Sequence, residues 1–276
     1  MTDDPESNLR ARRARLDEHL QTVPVVVIEG VVGPNGMSAG KGGGERLWTL
    51  RMTLQAWRLA GGPLQNASLT LRRQVDDATL KIYRLAACTY VPVRMRARLV
   101  MDADMGGPEA LLEEVPRAID DAELAEQAAR LQRPVIHEDG VFGACTLDKR
   151  LDWFDAAAEW NGRKIRIHLQ AGTLAALPAV LRRAHELWND AAGWHARILD
   201  RTVADLLDLK NDTWLDEDEK PVTADEFTQR IALQSVGIDG NGAFEFCFTD
   251  GDLFLGHAIM VRGTLEEGPT TANIAG

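Results

Sequence analysis

The sequence predicts an α+β fold in two parts: a small, mostly-β, barrel-like domain over residues 1–139 and an α+β domain over residues 140–276, in which helices cover an antiparallel sheet. Short segments that alternate apolar and polar residues occur in both parts, and this period of two indicates strands with one buried face. Only the second part adds a long amphipathic helical pattern between its strands. A chain of 276 residues is long enough for roughly two domains.

Charge divides the chain at the same place. Of the formal charge of −11, residues 1–139 contribute −2 (18 basic against 20 acidic) and residues 140–276 contribute −9 (13 against 22). A helical pattern over residues 120–132 ends before Pro134, so we place the boundary near residue 140. The acidic balance disfavours wholesale binding to nucleic-acid backbones and to anionic membranes, which both attract positive surfaces.

The composition is that of a globular protein, with 45% hydrophobic and 26% charged residues. No apolar stretch reaches the roughly 18 residues of a spanning helix, and no apolar segment follows a basic start at the N-terminus. The three cysteines, Cys88, Cys145 and Cys247, are widely separated and odd in number, which is typical of unpaired thiols in a reducing compartment. We therefore expect a cytoplasmic protein with no disulfide, no cofactor and no membrane association.

The first domain begins with a charged helix over residues 8–20, followed by strands with turn residues between them. The predicted strands are Val25–Val32, Leu47–Leu59, Leu69–Val75 and Cys88–Val100. About five short strands of this kind predict a small barrel, for which the oligonucleotide/oligosaccharide-binding (OB) type is one candidate topology. The glycine-rich segment Gly33–Gly44 lacks the phosphate-loop spacing, because Asn35 and Gly42 stand where a glycine and a hydroxyl residue are required. We expect a flexible hairpin loop there.

The second domain begins with a hairpin. Asn161-Gly162 joins the predicted strands Asp152–Trp160 and Arg163–Gln170, and both residues tolerate the positive φ of a type I′ turn. The remaining predictions are a strand over Val141–Leu147, an amphipathic helix from Leu177 that breaks at Gly193 and continues to about Lys210, a short helix capped by Thr223 and Glu226, and three terminal strands over Ile231–Ile238, Ala243–Phe248 and Leu253–Arg262.

Several motifs of the second half occur together in a fixed order. They are Leu151-Asp152-Trp153-Phe154, Glu159-Trp160-Asn161-Gly162, Leu209-Lys210-Asn211-Asp212 and Asp250-Gly251-Asp252-Leu253-Phe254 with Gly256-His257. With these motifs, residues 140–276 resemble the bacterial family called domain of unknown function 2262. The resemblance implies a domain definition and no catalytic residue. Leu255 departs from the aromatic residue expected at its position.

Asp250, Asp252 and His257 form the best polar cluster of the sequence. Two carboxylates and an imidazole could bind a divalent metal, or could orient a general base. Asp-Gly-Asp is also what a tight turn between strands requires, and an odd separation places His257 on the opposite face of an unbent strand. We favour the turn, and keep a metal-dependent enzyme or a metal-binding protein as the alternative function.

An acidic segment with one tryptophan follows the second helical stretch: Asp212, Trp214, Asp216, Glu217, Asp218 and Glu219. It lacks the central glycine of an EF-hand loop, which excludes that calcium site. A solvated loop is the simple interpretation, and a docking surface for a basic protein partner is the sharper one.

Arginines alternate along one predicted strand of the first domain. Arg94, Arg96 and Arg98 form a basic face that a nucleic-acid-binding barrel could use. The first half is slightly acidic overall and has few aromatic residues beside these arginines, so nucleic-acid binding is the second alternative. His185 and His195 lie about 280° apart around a regular helix and are not expected to share a ligand.

The leading functional hypothesis is therefore a non-catalytic protein-binding module. It rests on the acidic second half and on the absence of a catalytic motif in the sequence. Immunity proteins that neutralise secreted toxins have this profile, which is an argument by analogy. The sequence leaves enzymatic activity and oligomeric state open.

Overall fold

The computed structural model describes residues 5–65, 67–86, 88–103, 106–215 and 219–275. The chain divides into two compact units, Met1–Arg133 and Pro134–Gly276, and each contains helices and its own sheet. The predicted α+β class, with a barrel-like sheet followed by a helix-covered sheet, is confirmed. Within the described ranges, no helix is long and apolar enough to cross a membrane.

Among its described residues, the first unit contains three helices and six strands. The helices are α1 (Pro5–Thr22), α2 (Asp77–Ala86) and α3 (Ala122–Gln132), and the strands are β1 (Val25–Gly40), β2 (Trp48–Leu59), β3 (Leu69–Val75), β4 (Pro92–Ala103), β5 (Gly107–Leu112) and β6 (Arg117–Ala118).

The first five strands close into a barrel. They follow the order β1-β2-β3-β5-β4, and β1 also pairs with β4. The β3–β5 pair is parallel and the other pairs of the barrel are antiparallel. Alternate residues of each strand fill the interior, among them the fully buried Ile28, Leu50 and Leu71, with Trp57 1% exposed.

Most of the glycine-rich segment is a strand, which corrects the predicted loop over Gly33–Gly44. Strand β1 runs on to Gly40, which pairs with Thr49, and its register with β2 shifts between Val31 and Met37. Only residues 41–47 form the hairpin tip. The backbone ladder to β2 holds this glycine-rich stretch in an extended conformation, and the irregularity absorbs Gly36, whose φ is 59°.

Helix α2 was not predicted from the sequence, where Asp76-Asp77 indicates a turn. The Asp76 carboxylate accepts a hydrogen bond from the Thr79 amide at 2.7 Å, so this aspartate begins a helix instead. Leu80 and Tyr83 of α2 are buried against the barrel core. The next strand consequently begins at Pro92 and not at Cys88.

In the part of the second unit that the structure describes there are three helices and eight strands. The helices are α4 (Leu177–Trp188), α5 (Ala191–Thr213) and α6 (Ala224–Arg230), and the strands are β7 (Ile136–Asp139), β8 (Gly143–Asp148), β9 (Trp153–Trp160), β10 (Arg163–Gln170), β11 (Ala232–Asp239), β12 (Ala243–Thr249), β13 (Ala258–Thr264) and β14 (Gly268–Ala275).

The eight strands form one sheet in sequence order, and only β10–β11 is a parallel pair. The three helices lie between these two strands in the chain, because parallel neighbours require a long crossover connection. The hairpin at Asn161-Gly162 is confirmed, with φ values of 47° and 79° and with Trp160 opposite Arg163.

The helical stretch breaks at Asn189-Asp190 and not at Gly193. The Asp190 carboxylate accepts a hydrogen bond from the Gly193 amide at 3.1 Å and thereby caps α5. A Cβ at position 193 would lie 2.4 Å from the Asp190 carboxylate. The glycine therefore makes room for the cap in the first turn of α5.

The helices cover the face of the sheet that carries the phenylalanines of β12. Phe244, Phe246 and Phe248 are at most 3% exposed. The ring of Trp160 lies 4.8 Å from that of Trp188 and 5.3 Å from that of Phe246, in edge-on contacts. Such aromatic pairs add about 0.5–1.5 kcal/mol each to the free energy gained by burying their surface.

Candidate functional site

Asp250 stabilises the turn that precedes β13. The side chain is 5% exposed, and its Oδ2 accepts hydrogen bonds from the amides of Phe254 at 2.8 Å and Gly256 at 2.9 Å. Burial raises the pKa of this carboxyl, but the backbone amides outweigh burial and hold the pKa below its usual value. The Oδ2 atom of Asp250 is thus engaged within the turn.

The side chains of Asp252 and His257 do not form a common cluster with the Asp250 carboxylate. Asp252 is exposed with a φ of 63°, and its carbonyl accepts a hydrogen bond from Arg230 at 3.0 Å. His257 makes an edge-on contact with Trp214, with 5.6 Å between ring centroids. In the part of the chain that the structure describes, no group of three or more His, Cys, Asp or Glu could hold a metal ion.

The acidic segment is only partly available to a partner. Glu219 pairs with Lys210 at 2.5 Å and with Arg230 at 3.5 Å, and Lys210 is 2% exposed. Trp214 is half-buried against Phe254, with 5.7 Å between the rings. Asp212 is exposed at the end of α5. Asp216, Glu217 and Asp218 lie outside the described residues.

Helix α5 adds two further exposed carboxylates to Asp212. Asp200, Asp208 and Asp212 are separated by multiples of four residues, so they lie along one side of the helix. None of the three forms an ion pair with another described residue. This acidic side was not recognised in the sequence, where the amphipathic pattern drew attention to the buried side.

The basic strand face of the barrel is largely neutralised. Arg94 donates to Glu29 at 2.8 Å, and Arg98 pairs with Glu113 and donates to two backbone carbonyls of residues 21 and 23 at 2.9 Å each. Glu29, 3% exposed, also pairs with Arg58 at 3.0 Å. Hydrogen bonding to Arg94 holds the pKa of Glu29 below its usual value despite burial. Arg96 is exposed and pairs with no acidic group among the described residues.

A different pair of arginines lies on the outer face of β2 and β3. Arg51 and Arg72 are directly opposite each other across the two strands. Arg72 pairs with Asp17 of α1 and with Glu109 at 3.3 Å, and Arg13 also pairs with Glu109 at 2.5 Å. Arg51 is exposed and pairs with no described acidic group.

These arginines line a cavity of about 540 Å³ between α1 and the strands β2, β3 and β5. The lining also contains a further arginine, Arg73, and two carboxylates, Asp17 and Glu113, and the rest consists of polar and aliphatic groups such as Gln74 and Leu111. The alternation of Thr49, Arg51 and Thr53 along β2 is the sequence signal that could have identified this face.

His195 of α5 lines a second cavity, of about 290 Å³, in the C-terminal unit. Its Nδ1 accepts a hydrogen bond from Trp160 Nε1 at 3.3 Å. Burial lowers the pKa of His195, and the positive charge of Arg163 lowers the pKa further. His185 contacts different groups: its Nε2 lies 3.1 Å from Asp139 and its ring stacks on Phe142.

A third polar cluster lies on the sheet face that carries Lys164 and Arg166. His168 Nδ1 lies 2.5 Å from Asp155 Oδ1, and the ring of Trp153 lies 4.7 Å from the imidazole. Asp155 also pairs with Arg166 at 3.4 Å. Such a carboxylate fixes the orientation of an imidazole ring. Along the sequence, Lys164, Arg166 and His168 alternate with apolar residues, a pattern that indicates only a solvated strand face.

Fold and sites together define a two-unit α+β protein: a closed barrel with an arginine-lined cavity, and a helix-covered sheet with an aromatic core. Residues 139–274 match the family described as "Uncharacterized protein conserved in bacteria (DUF2262)", which confirms the resemblance read from the motifs of the second half. Residues 12–131 match a second family, "Domain of unknown function (DUF7021)". Among curated proteins, none matches the chain.

Proposed function

We propose that this is a non-catalytic, cytoplasmic binding protein whose N-terminal barrel binds a phosphate-bearing ligand at the outer face of β2 and β3. The observation that carries the proposal is the Arg51–Arg72 pair at the cavity beside α1. The thiols of Cys88, Cys145 and Cys247 are unpaired, which fits a reducing compartment.

The topology supports an OB type of barrel. The strand order β1-β2-β3-β5-β4 with closure onto β1, the parallel β3–β5 pair and a helix between β3 and β4 agree with a five-stranded Greek-key barrel of that type. OB barrels bind ligands on the face of their second and third strands. The arginine pair lies on the corresponding strands here.

The charges favour an anion. Like charges directly opposite each other on neighbouring strands destabilise a sheet. Asp17 and Glu109 balance Arg72, while Arg51 retains a free guanidinium whose planar donors match a phosphate group. The cavity is lined by four arginines against two carboxylates, and its other groups are polar or aliphatic, whereas single-strand binders stack bases on aromatic side chains. A compact phosphate-bearing ligand therefore fits this cavity better than a nucleic-acid strand.

Titration calorimetry of the full chain with inorganic pyrophosphate tests the proposal. Arg51→Gln should weaken binding at least tenfold, because it removes an unpaired charge at an exposed position, where folding is little affected. Arg96→Gln is the matched control, since Arg96 is equally exposed on another part of the barrel, and it should bind like the parent. No binding of pyrophosphate, equal losses in both variants, or tighter binding of a thymidine oligonucleotide would overturn the proposal.

A second candidate is docking of a basic protein on the C-terminal unit, as the acidic balance of the sequence predicts. The specific observation in its favour is the exposed side of α5 with Asp200, Asp208 and Asp212. An acidic face of this kind accelerates association with basic partners and makes it sensitive to salt.

Affinity capture from the native host, at low salt and at about 0.5 M salt, tests this candidate. A partner that binds through α5 should be lost at high salt and in the triple variant Asp200→Asn, Asp208→Asn, Asp212→Asn. The control triple variant Glu138→Gln, Glu159→Gln, Glu266→Gln changes the same charge at exposed positions elsewhere in the unit. Retention by the first triple variant, or equal loss in both, would argue against α5.

A further inference from the structure

The geometry points to a second binding site, in the C-terminal unit: the cavity beside His195 accepts a small apolar ligand that carries a carboxylate. Five buried apolar side chains of the core contribute to the walls of this cavity, together with several polar groups. The five are Trp160, Ile165, Ile231, Leu233 and Phe248, each at most 9% exposed. Ligand sites in proteins are typically concave and apolar, with a few placed polar groups.

His195 is one of these polar groups. An indole N–H can only donate, so the hydrogen bond from Trp160 places the proton of the neutral imidazole on Nε2. The imidazole therefore presents a donor, and no described residue accepts a hydrogen bond from it. A ligand oxygen is the complementary group.

Arg163 supplies a positive charge to the same cavity. It is exposed at the start of β10 and lines the cavity together with His195, Asn161 and Thr228. Burial lowers the pKa of His195 and the positive charge of Arg163 lowers it further, which agrees with the two groups lining one cavity. A carboxylate held between the guanidinium and the imidazole N–H would satisfy both groups, with its apolar body against Ile165 and Phe248.

The size of the cavity restricts the ligand. A volume of about 290 Å³ lies at the lower end of small-molecule sites and suits one aromatic ring or a short branched chain. Benzoate is therefore a suitable probe, and benzamide is its neutral counterpart of the same shape.

The test is a titration of the full chain with benzoate and benzamide, observed in the imidazole NMR signals of His195. We expect saturable binding of benzoate that shifts these signals, and at least tenfold weaker binding of benzamide. Arg163→Gln should weaken benzoate binding about tenfold, which is the factor for one lost charge-assisted contact of about 1.4 kcal/mol. Arg182→Gln, a change of the same charge at an exposed position on α4, should leave binding unchanged.

Three results would overturn the inference: no saturable binding of benzoate, equal affinity for benzoate and benzamide, or binding that leaves the His195 signals in place. Equal losses in Arg163→Gln and Arg182→Gln would show a general charge effect and would also exclude this site. Because the cavity lies in a different unit from Arg51, pyrophosphate binding and benzoate binding can fail independently.

Discussion

The two units stabilise their buried carboxylates in different ways. In the barrel, Glu29 and Glu109 are 3% and 6% exposed and are paired with arginines from other elements, such as Arg58 and Arg13. In the C-terminal unit, Asp250 is as deeply buried, but backbone amides four and six residues along the chain provide its hydrogen bonds.

The difference shows that a buried charge can be stabilised either by side chains from distant parts of the chain or by backbone amides of the same turn. The barrel pairs hold strands and helices together over long sequence separations, so losing one buried carboxylate removes contacts between distant elements. The Asp250 turn is closed within a few residues, so its loss leaves only neutral amides unpaired. The following predictions test this contrast, from the largest expected effect to the smallest.

Glu29→Gln should destabilise the barrel by about 3 kcal/mol, because Arg58 and Arg94 lose the charge-assisted hydrogen bonds to their shared carboxylate, although Arg58 keeps Asp121 and Glu123 as partners. Urea unfolding gives the free energy, and hydrogen exchange of the β1 amides assigns the loss to the barrel. Glu123→Gln is the control: this carboxylate also pairs with Arg58 but is 56% exposed, and its loss should cost at most about 1 kcal/mol. Equal losses in the two variants would remove the distinction between buried and exposed pairs.

Asp250→Ala should cost about 1–3 kcal/mol, because the amides of Phe254 and Gly256 lose their acceptor near the core. Thermal unfolding of the variant measures the loss. Asp252→Asn, two residues away, should be close to neutral, since asparagine also tolerates the positive φ of this exposed position. A larger loss in Asp252→Asn than in Asp250→Ala would contradict the role assigned to the turn.

Thr223→Ala should cost about 1 kcal/mol through the loss of the α6 cap, in which Thr223 and Glu226 exchange hydrogen bonds. The change is local, so hydrogen-exchange protection should fall in α6 and not in the sheet. Thr271→Ala, at an exposed position of β14, is the comparison and should leave α6 unchanged.

The smallest expected effect is a change in the free energy of unfolding with pH. The pKa of His195 is lowered from 6.5 in the folded protein, so below pH 6.5 the unfolded chain binds a proton that the folded chain does not, and the C-terminal unit loses stability as the pH falls. The pKa of Glu29 is lowered from 4.5, so its contribution is fully present above pH 4.5 and is lost only as the pH falls through its folded value.

The C-terminal unit should therefore begin to lose stability at a higher pH than the barrel. Unfolding followed separately for the two units, by hydrogen exchange across this pH range, measures the order. His195→Gln should abolish the early loss, because glutamine can accept the Trp160 hydrogen bond without binding a proton. An unchanged pH profile in this variant would contradict the argument.

Local signals in the sequence predicted the structure best. Asn161-Gly162 and the Thr223–Glu226 capping box each act within four residues, and both occur as predicted. The barrel could also be predicted, because strand periodicity reports burial directly. The helix break at Asp190 could not be predicted. In the sequence Gly193 is a stronger break signal than Asp190, whereas in the structure Gly193 makes room for the Asp190 cap.

The candidate sites depend on contacts between residues that lie far apart in the sequence, so sequence patterns could not predict them. Arg51 and Arg72 meet through strand register, and His195 of α5 and Arg163 of β10 line the same cavity. In contrast, Arg94 and Arg98 stand out in the sequence but are paired with glutamates from distant positions. A pattern along one strand shows which residues share a face and not which charges neutralise them.

The parallel pairing of β10 with β11 has a consequence for protein synthesis. The ribosome completes β10 well before residues 171–231 have been added, so the nascent chain carries an open strand edge for several seconds at ordinary elongation rates. Lys164 and Arg166 project from this strand, and charged side chains on an open edge discourage pairing with other chains. The basic residues of β10 should therefore disfavour its pairing with other chains until β11 is added beside it.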